Sequence, residues 1–287
     1  MPAAVVGAAR RGAAQRSYFG VYRVKQSKDG TYNLLLHGTT LHGAHRIRDD
    51  KGNSVADTTP GTYYYPQSPL ARAVRAVQNR LAALGAKGRL GVVGLGAGSL
   101  ACYAKPGEEW RFFEIDPIVV EIAKNLNYFT FLANCMPKPD IVIGDARLIL
   151  AKEPDKSFDL LVIDAFTSDA VPMHMMTAEA LQLYASKLKK GGAVALHISN
   201  RYLNLESVLR ATQPLVPQLK GLVVYDGQAD DETYAEYNSV IAVFGQSEAA
   251  LAPFRKLSGA RNFREGRASS WTDDASDILG PLLSQWQ

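Results

Sequence analysis

The chain has 287 residues, 47% hydrophobic and 21% charged, a globular composition that excludes a disordered or fibrous protein. Lysine and arginine total 32 against 28 aspartates and glutamates, so the formal charge is only +4, without the excess expected of a nucleic-acid binder. Two cysteines, Cys102 and Cys135, are too few for a disulfide scaffold or a cysteine zinc site, and no run approaches the roughly 18 apolar residues that span a bilayer.

Residues 1–16 are rich in alanine, glycine and arginine. They read as a flexible lead-in whose apolar stretch is too short for a secretory signal, so the default compartment is the cytoplasm. Residues 17–68 read as a small β domain. Tyr18–Lys25 and Tyr32–Leu36 are strand-like, joined by a turn at Lys28-Asp29-Gly30, and a third strand covers Thr40–Arg48. Asp49–Ser54 is a loop by composition, and Tyr63 to Tyr65 with Pro66 close this part.

From 69 to 250 the pattern changes. Leu70–Leu84 has helical spacing that Gly85 can end. Short apolar strands follow at Leu90–Val93, Trp110–Ile115, Ile141–Ile143, Leu160–Ile163 and Ala193–Ile198. They alternate with helical stretches near Ser99–Tyr103, Pro117–Leu126, Ala146–Ala151 and Thr177–Lys189, which predicts βαβ units, a parallel sheet and helices on both faces. A helix near Asn204–Leu215 precedes two strands, Gly221–Tyr225 and Ser239–Phe244, with only a polar linker between them. The expected fold is therefore α/β: a class I S-adenosylmethionine-methyltransferase-like Rossmann fold, mostly parallel with an antiparallel last strand, behind a small N-terminal β domain. Residues 251–287 are left as a C-terminal tail, with no role assigned to Trp271 or Asp273.

Val92-Val93-Gly94-Leu95-Gly96-Ala97-Gly98 follows a strand and opens a helix. Gly94, Gly96 and Gly98 let the backbone turn tightly and approach a ligand, with helix N-terminal amides facing it. Ser99 stands where the dinucleotide fingerprint has its last glycine, so the spacing suits an S-adenosylmethionine-type ligand better than NAD. Glu114 ends the second strand, twenty positions after Gly94, where an acid can accept from both ribose hydroxyls. Asp116 reads as a helix N-cap. Gly144-Asp145-Ala146 follows the third strand, where Asp145 can accept from an adenine amino group and a backbone amide near Ala146 can donate to the ring. These three features in register point to an adenosine-containing ligand.

The fourth strand runs into Asp164, and the loop after it carries Asp169 and Pro172. Ligands in such sheets bind outside the carboxyl ends of the strands, so Asp164 and Asp169 stand where a second substrate would meet the nucleotide. Paired carboxylates there attract a cationic amine and can take its proton as it attacks.

At these residues the sequence resembles the spermidine synthase family, the polyamine aminopropyltransferases. The likeness runs from about Tyr18 to Phe244 and includes Leu36-His37-Gly38, the glycine loop, Glu114-Ile115-Asp116, Gly144-Asp145-Ala146 and Asp164 through Pro172. His37 through Gly43 and His197 through Tyr202 are more similar still to the spermidine synthase-like domains often fused to membrane transporter domains. The resemblance implies that Glu114 holds the ribose, Asp145 the adenine, and Asp169, with Asp164 beside it, the attacking amine. It implies decarboxylated S-adenosylmethionine or S-adenosylmethionine as donor, a small amine or polyamine as acceptor, no metal, and a homodimer or higher oligomer.

Three positions depart from the family pattern. Ala97 replaces the aspartate of the glycine loop, Tyr63-Tyr64-Tyr65-Pro66 stands where the family has Tyr-His-Glu, and Asp164 and Asp169 lie five positions apart instead of three. A small-molecule methyltransferase on the same nucleotide site is therefore the second reading, and a non-catalytic adenosyl-ligand sensor the third. His42, Tyr64 and His174 are candidate substrate contacts, and His197 reads as a satisfied buried histidine. On one strand His37 and His45 would share a face opposite His42, and that gives a metal too few partners. Met173, Met175 and Met176 read as apolar packing over the nucleotide or core. Asp230-Asp231-Glu232, Tyr234 and Tyr237 read as a solvated loop. No Gly-x-Ser-x-Gly elbow, Walker loop or His-Glu-x-x-His motif is present.

Overall fold

Two sheets organise the computed structural model, which describes residues 14–165, 172–227, 229 and 233–283. The first is a four-stranded antiparallel meander of β1 (Ala14–Ser17), β2 (Gly20–Gln26), β3 (Tyr32–His37) and β4 (Thr40–Arg46). β1 occupies the end of the expected lead-in, and Tyr18-Phe19, expected as strand, form the two-residue turn between Ser17 and Gly20. Gly20 sits at φ +144°, and a Cβ there would lie 2.0 Å from His37 Nε2, so only glycine lets the histidine cross the turn.

The second sheet has eight strands. They are β5 (Arg89–Val93), β6 (Glu109–Glu114), β7 (Asp140–Ile143), β8 (Phe158–Ile163), β9 (Leu188–His197), β10 (Lys220–Tyr225), β11 (Val240–Gly245) and β12 (Ala260–Arg261). Their spatial order is β12-β10-β11-β9-β8-β5-β6-β7. From β9 through β7 all neighbours are parallel. β11 runs antiparallel between β9 and β10, and β12 adds a further antiparallel edge from within the expected tail. This is the expected Rossmann-like sheet with its antiparallel last strands.

β8 is buried along its whole length: its apolar run Leu160–Ile163 suits a central parallel strand, and its one acid, Asp159, accepts from Arg89 N–H (2.9 Å) and Lys189 Nζ (2.7 Å). Its alternate residues feed two cores. Leu160 and Val162 join Leu90, Val92 and Phe112 on one face, while Leu161 and Ile163 join Phe113, Val194 and Leu196 on the other. The Pro69–Ala83 helix covers the first face through Leu70, Val74, Val77 and Leu81. Ser68 caps it by accepting from Ala71 N–H, Pro69 opens it, and Gly85 at φ +64° turns the chain after it.

The C-terminal segment is not a loose tail. Trp271 is fully buried, donates its indole N–H to the Asp277 carbonyl (2.8 Å), and accepts at its own carbonyl from Ala178 N–H (2.9 Å). Arg147 grips Asp273 through two nitrogens at 2.7 and 2.6 Å, and Thr177 Oγ donates to the same carboxylate. The two cysteines are joined. Cys102, in the 3-10 turn Ser99–Tyr103 behind the glycine loop, is bonded to Cys135 at the end of the Phe131–Cys135 helix. Among the described residues no helix is long and apolar enough to cross a membrane.

Candidate active site

A cavity of about 280 Å³ opens at the carboxyl ends of β5, β6 and β8, under the first sheet. The glycine loop forms its floor. Gly94 (φ +91°) packs against the Asp164 carbonyl, which would lie 2.2 Å from an added Cβ, and Gly96 (φ +54°) lies beneath the His42 carbonyl. Both line the cavity. Gly98 does not: it begins the 3-10 turn at φ +81° and packs on Leu132. Ala97 is buried, and its methyl group meets Gly43 of β4.

Glu114 lies on the wall, 7% exposed. Leu95 N–H donates to its Oε2 (2.9 Å) and Asp116 N–H to its Oε1 (3.0 Å). Each oxygen keeps one lone pair for a ligand. Burial pushes this carboxyl above the ordinary range, and the backbone donors oppose that shift only in part. Asp116 faces away from the cavity as a cap, accepting from Ile118 N–H (3.0 Å) and from Ser17 Oγ.

Asp145 and Ala146 line the opposite side. Asp145 caps the Ala146–Lys152 helix by accepting from Leu148 N–H (3.0 Å), and its second oxygen lies 3.6 Å from His174 Nε2. His174 is held from behind, its carbonyl accepting from Arg147. The C-terminal segment thus supports this wall through Asp273. Met175 is buried and lines the cavity as well.

Asp164 is enclosed by polar partners. His197 Nδ1 lies 2.7 Å from Oδ1, and Tyr64 donates its hydroxyl to Oδ2. His197 Nε2 in turn meets Ser199 Oγ at 2.8 Å, and that oxygen accepts from Val240 N–H (2.9 Å). Burial drives the Asp164 carboxyl up, but the His197 charge and the bonds from His197 and Tyr64 outweigh it, leaving it below the usual carboxylate range. Tyr64 serves the carboxylate from behind, while the cavity wall is Tyr63, its ring 4.8 Å from that of His197. The backbone before them is constrained: Thr62, a β-branched residue at φ +55°, donates to the Tyr234 carbonyl and accepts from Tyr237 N–H.

The histidine pattern differs from the single-strand reading. His37 ends β3, and the turn at Gly38-Thr39 places His42 on the next strand. A register shift between Leu35 and Leu36 then brings both to the cavity with ring centroids 5.7 Å apart. His45 points elsewhere, onto Phe131, with Nε2 3.0 Å from the Asp57 carbonyl. Among the described residues no three His, Cys, Asp or Glu side chains are grouped to hold a metal. Sequence reasoning missed Phe19, Tyr22, His37 and Tyr63 as wall residues. Tyr22 stacks on His37 at 4.4 Å, a contact that pairing of β2 with β3 creates. Asp169 and the acids Asp230, Asp231 and Glu232 lie outside the described residues.

No family model matches the chain. A polyamine aminopropyltransferase of Vibrio vulnificus is 32% identical over 111 residues, 37% of this chain and 36% of that protein. The chain is similar in sequence to the polyamine aminopropyltransferases. An N-terminal histidine N-methyltransferase of Emericella nidulans is also 32% identical over 111 residues, covering 37% of this chain and 19% of that protein. Both matches span little more than a third of the relative or less. Among solved structures, a probable spermidine synthase from Corynebacterium glutamicum superposes with a TM-score of 0.60 at 14% identity, over 93% of this chain and 98% of that one. The spermidine synthase of Thermotoga maritima gives 0.55 at 14% identity, over 95% and 84%. A spermidine synthase in complex with the transition-state analogue AdoDATO gives 0.55 at 13% identity, over the same shares. The fold is that of the spermidine synthases, both sheets included.

Proposed function

We propose that the chain is a spermidine synthase-like transferase that moves an aminopropyl or related alkyl group from an adenosyl sulfonium donor to a small amine. The observation that carries this reading is the placement of Glu114, Asp145 and Asp164 around one cavity. Glu114 would take the ribose hydroxyls on its remaining lone pairs, and Asp145 the adenine amino group. Asp164, kept ionised by His197 and Tyr64, would present negative charge to the sulfonium and the incoming ammonium. Asp169 remains the proposed acceptor of the amine proton.

The acceptor must lose a proton before it attacks, since a free alkylamine has a pKa of about 10. Its lone pair then forms the new N–C bond as the C–S bond breaks, and the electron pair goes to sulfur. The leaving group is a neutral thioether that needs no acid, and with an aminopropyl donor it is methylthioadenosine. A homodimer or higher oligomer, accepting a polyamine or smaller amine, completes the proposal. The cytoplasmic expectation meets one counter-observation, the Cys102–Cys135 bond, because such bonds persist mainly in oxidising compartments.

Ala97 favours a second reading. It is small and buried against Gly43, so the loop offers no charge to repel the carboxylate of S-adenosylmethionine, and a methyltransferase on a small molecule fits. Mass spectrometry of the nucleotide by-product separates the readings. The protein is incubated with S-adenosylmethionine or its decarboxylated form and a panel of diamines and polyamines. Methylthioadenosine that appears only with an amine is the expected result. S-adenosylhomocysteine would make the chain a methyltransferase, and tight binding with neither product would leave the sensor.

A further inference from the structure

The Cys102–Cys135 bond lies directly behind the glycine loop. Cys102 belongs to the Ser99–Tyr103 turn, which continues from Gly98. Cys135 ends the Phe131–Cys135 helix, whose Leu132 packs on Gly98: a Cβ on that glycine would lie 2.8 Å from Leu132 Cγ. The bond and this contact therefore join the same two elements. Within the loop, Leu95 N–H donates to Glu114 (2.9 Å), Gly98 N–H to the Leu95 carbonyl (2.9 Å), and Ala101 N–H to the Gly98 carbonyl (3.2 Å).

The same helix also carries the roof of the cavity. The Phe131 ring lies 4.6 Å from that of His45 on β4, and Thr130 Oγ1 lies 3.3 Å from His45 Nε2. Just before the helix, the Tyr128 carbonyl accepts from Asn33 Nδ2 of β3 (2.9 Å). β4 in turn covers the loop, with the His42 carbonyl over Gly96 and Gly43 against Ala97. The segment from Tyr128 to Cys135 is thus a bracket between floor and roof. Its helix is five residues long, and so short a helix keeps its shape through tertiary contacts rather than its own hydrogen bonds. The disulfide is its covalent anchor to the loop. Both cysteines are partly exposed, and Ala133 and Asn134 beside Cys135 are exposed, so this end of the helix faces solvent.

We propose that the Cys102–Cys135 bond is a redox switch on the cavity. A dithiol supplies two electrons and two protons. Its thiolate attacks one sulfur, the S–S bond breaks, both cysteines become thiols, and the dithiol closes to a cyclic disulfide. A disulfide oxidant reverses the step. Joined, the sulfurs hold the bracket against the glycine loop and the cavity is preformed. Parted, they release the helix from Gly98 and the loop loosens, so a nucleoside must restore that order as it binds and binds more weakly. Disulfides in reducing compartments are usually transient ones of this kind. The nucleoside readout rests on the adenosyl-ligand reading of the cavity, whereas the loosening of the loop does not.

The test uses the full chain without denaturant and needs no turnover. Free thiols are counted before and after dithiothreitol, methylthioadenosine binding is measured by calorimetry in both states, and amide hydrogen exchange is followed over residues 94–101. Reduction should free both thiols, weaken methylthioadenosine binding about tenfold or more and speed exchange in 94–101, and reoxidation should restore all three. Exchange in β8, in the same core, should not change. Cys102→Ser/Cys135→Ser should behave as the reduced protein and ignore the reagent, and reduced wild type carries the test alone if that variant does not fold. Equal affinity in the two states, or exchange in 94–101 that reduction leaves unchanged, would overturn the proposal. So would sulfurs that the dithiol cannot part or the oxidant cannot join, and loss of protection in β8 as well, which would make the bond a general staple. If neither state binds methylthioadenosine, faster exchange confined to the loop upholds the switch and sinks the nucleoside reading, while unchanged exchange sinks both.

Discussion

His197 and Asp164 form a buried pair at 2.7 Å, their side chains 7% and 5% exposed, with the carboxylate on the cavity wall. The Tyr64 hydroxyl holds the other carboxylate oxygen, and Ser199 Oγ meets His197 Nε2 at 2.8 Å. The charge of Asp164 is therefore set by His197 and Tyr64 rather than by solvent.

Removing one member of such a pair leaves the other buried and uncompensated. Asp164→Ala should lose about 3–5 kcal/mol in urea unfolding at pH 7. The folded carboxyl titrates below its unfolded value of about 3.9. Its contribution is therefore complete above that value and disappears as pH falls through the lower folded value. The stability gap between wild type and Asp164→Ala should close on the acid side, below about pH 4. A gap that closes instead between pH 6 and 8 would show that another group governs it.

Glu114 and Asp116 sit two residues apart but do different work. Glu114→Gln should weaken calorimetric binding of methylthioadenosine by about tenfold to a hundredfold, since it exchanges charged acceptors for an amide. Asp116→Ala should leave binding intact and cost about 1 kcal/mol of stability through the lost cap. The reverse pattern would reassign the ribose to Asp116.

The loop glycines are unequal. In Gly94→Ala the new carbon meets a backbone oxygen at 2.2 Å and φ +91°, which no side-chain movement relieves. A loss of about 2 kcal/mol or more is expected. At Gly96 the nearest atom is 3.0 Å away, and about 1 kcal/mol should suffice. Thermal unfolding of the two variants ranks them.

The Cys102–Cys135 bond closes a loop with a sequence separation of 33. By loop entropy it contributes about 3–4 kcal/mol, so reductant should lower the melting temperature of wild type and leave Cys102→Ser/Cys135→Ser unaffected. Equal melting curves for wild type with and without reductant would mean that the thiols are not joined in solution.

Trp271→Ala should cost about 3–5 kcal/mol, because it empties a fully buried position shared with the Ala178–Lys187 helix. A chain truncated before residue 260 should lose at least as much in equilibrium unfolding.

The parallel sheet was legible because its signals are local. Apolar runs such as Leu160–Ile163, glycines between strand and helix, and acids at strand ends each follow from backbone geometry within a few residues, and Asp116 announces its helix in the same way. Placing Glu114, Asp145 and Asp164 on one rim needed only the rule that parallel strands end together.

Contacts between distant segments were not legible. Tyr63 rather than Tyr64 faces the cavity because of how residues 61–65 bond to the segment near Tyr234. His37 and His42 share a wall because a turn and a register shift intervene, which a single-strand count cannot register. Cys102 meets Cys135, and Trp271 enters the core, only once helices dock from far along the chain. Periodicity, turns and the chemical groups at each strand end follow from residue order over a few positions. Which of those groups face each other follows from the fold, because side-chain proximity depends on packing across the sheet and not on spacing along the chain.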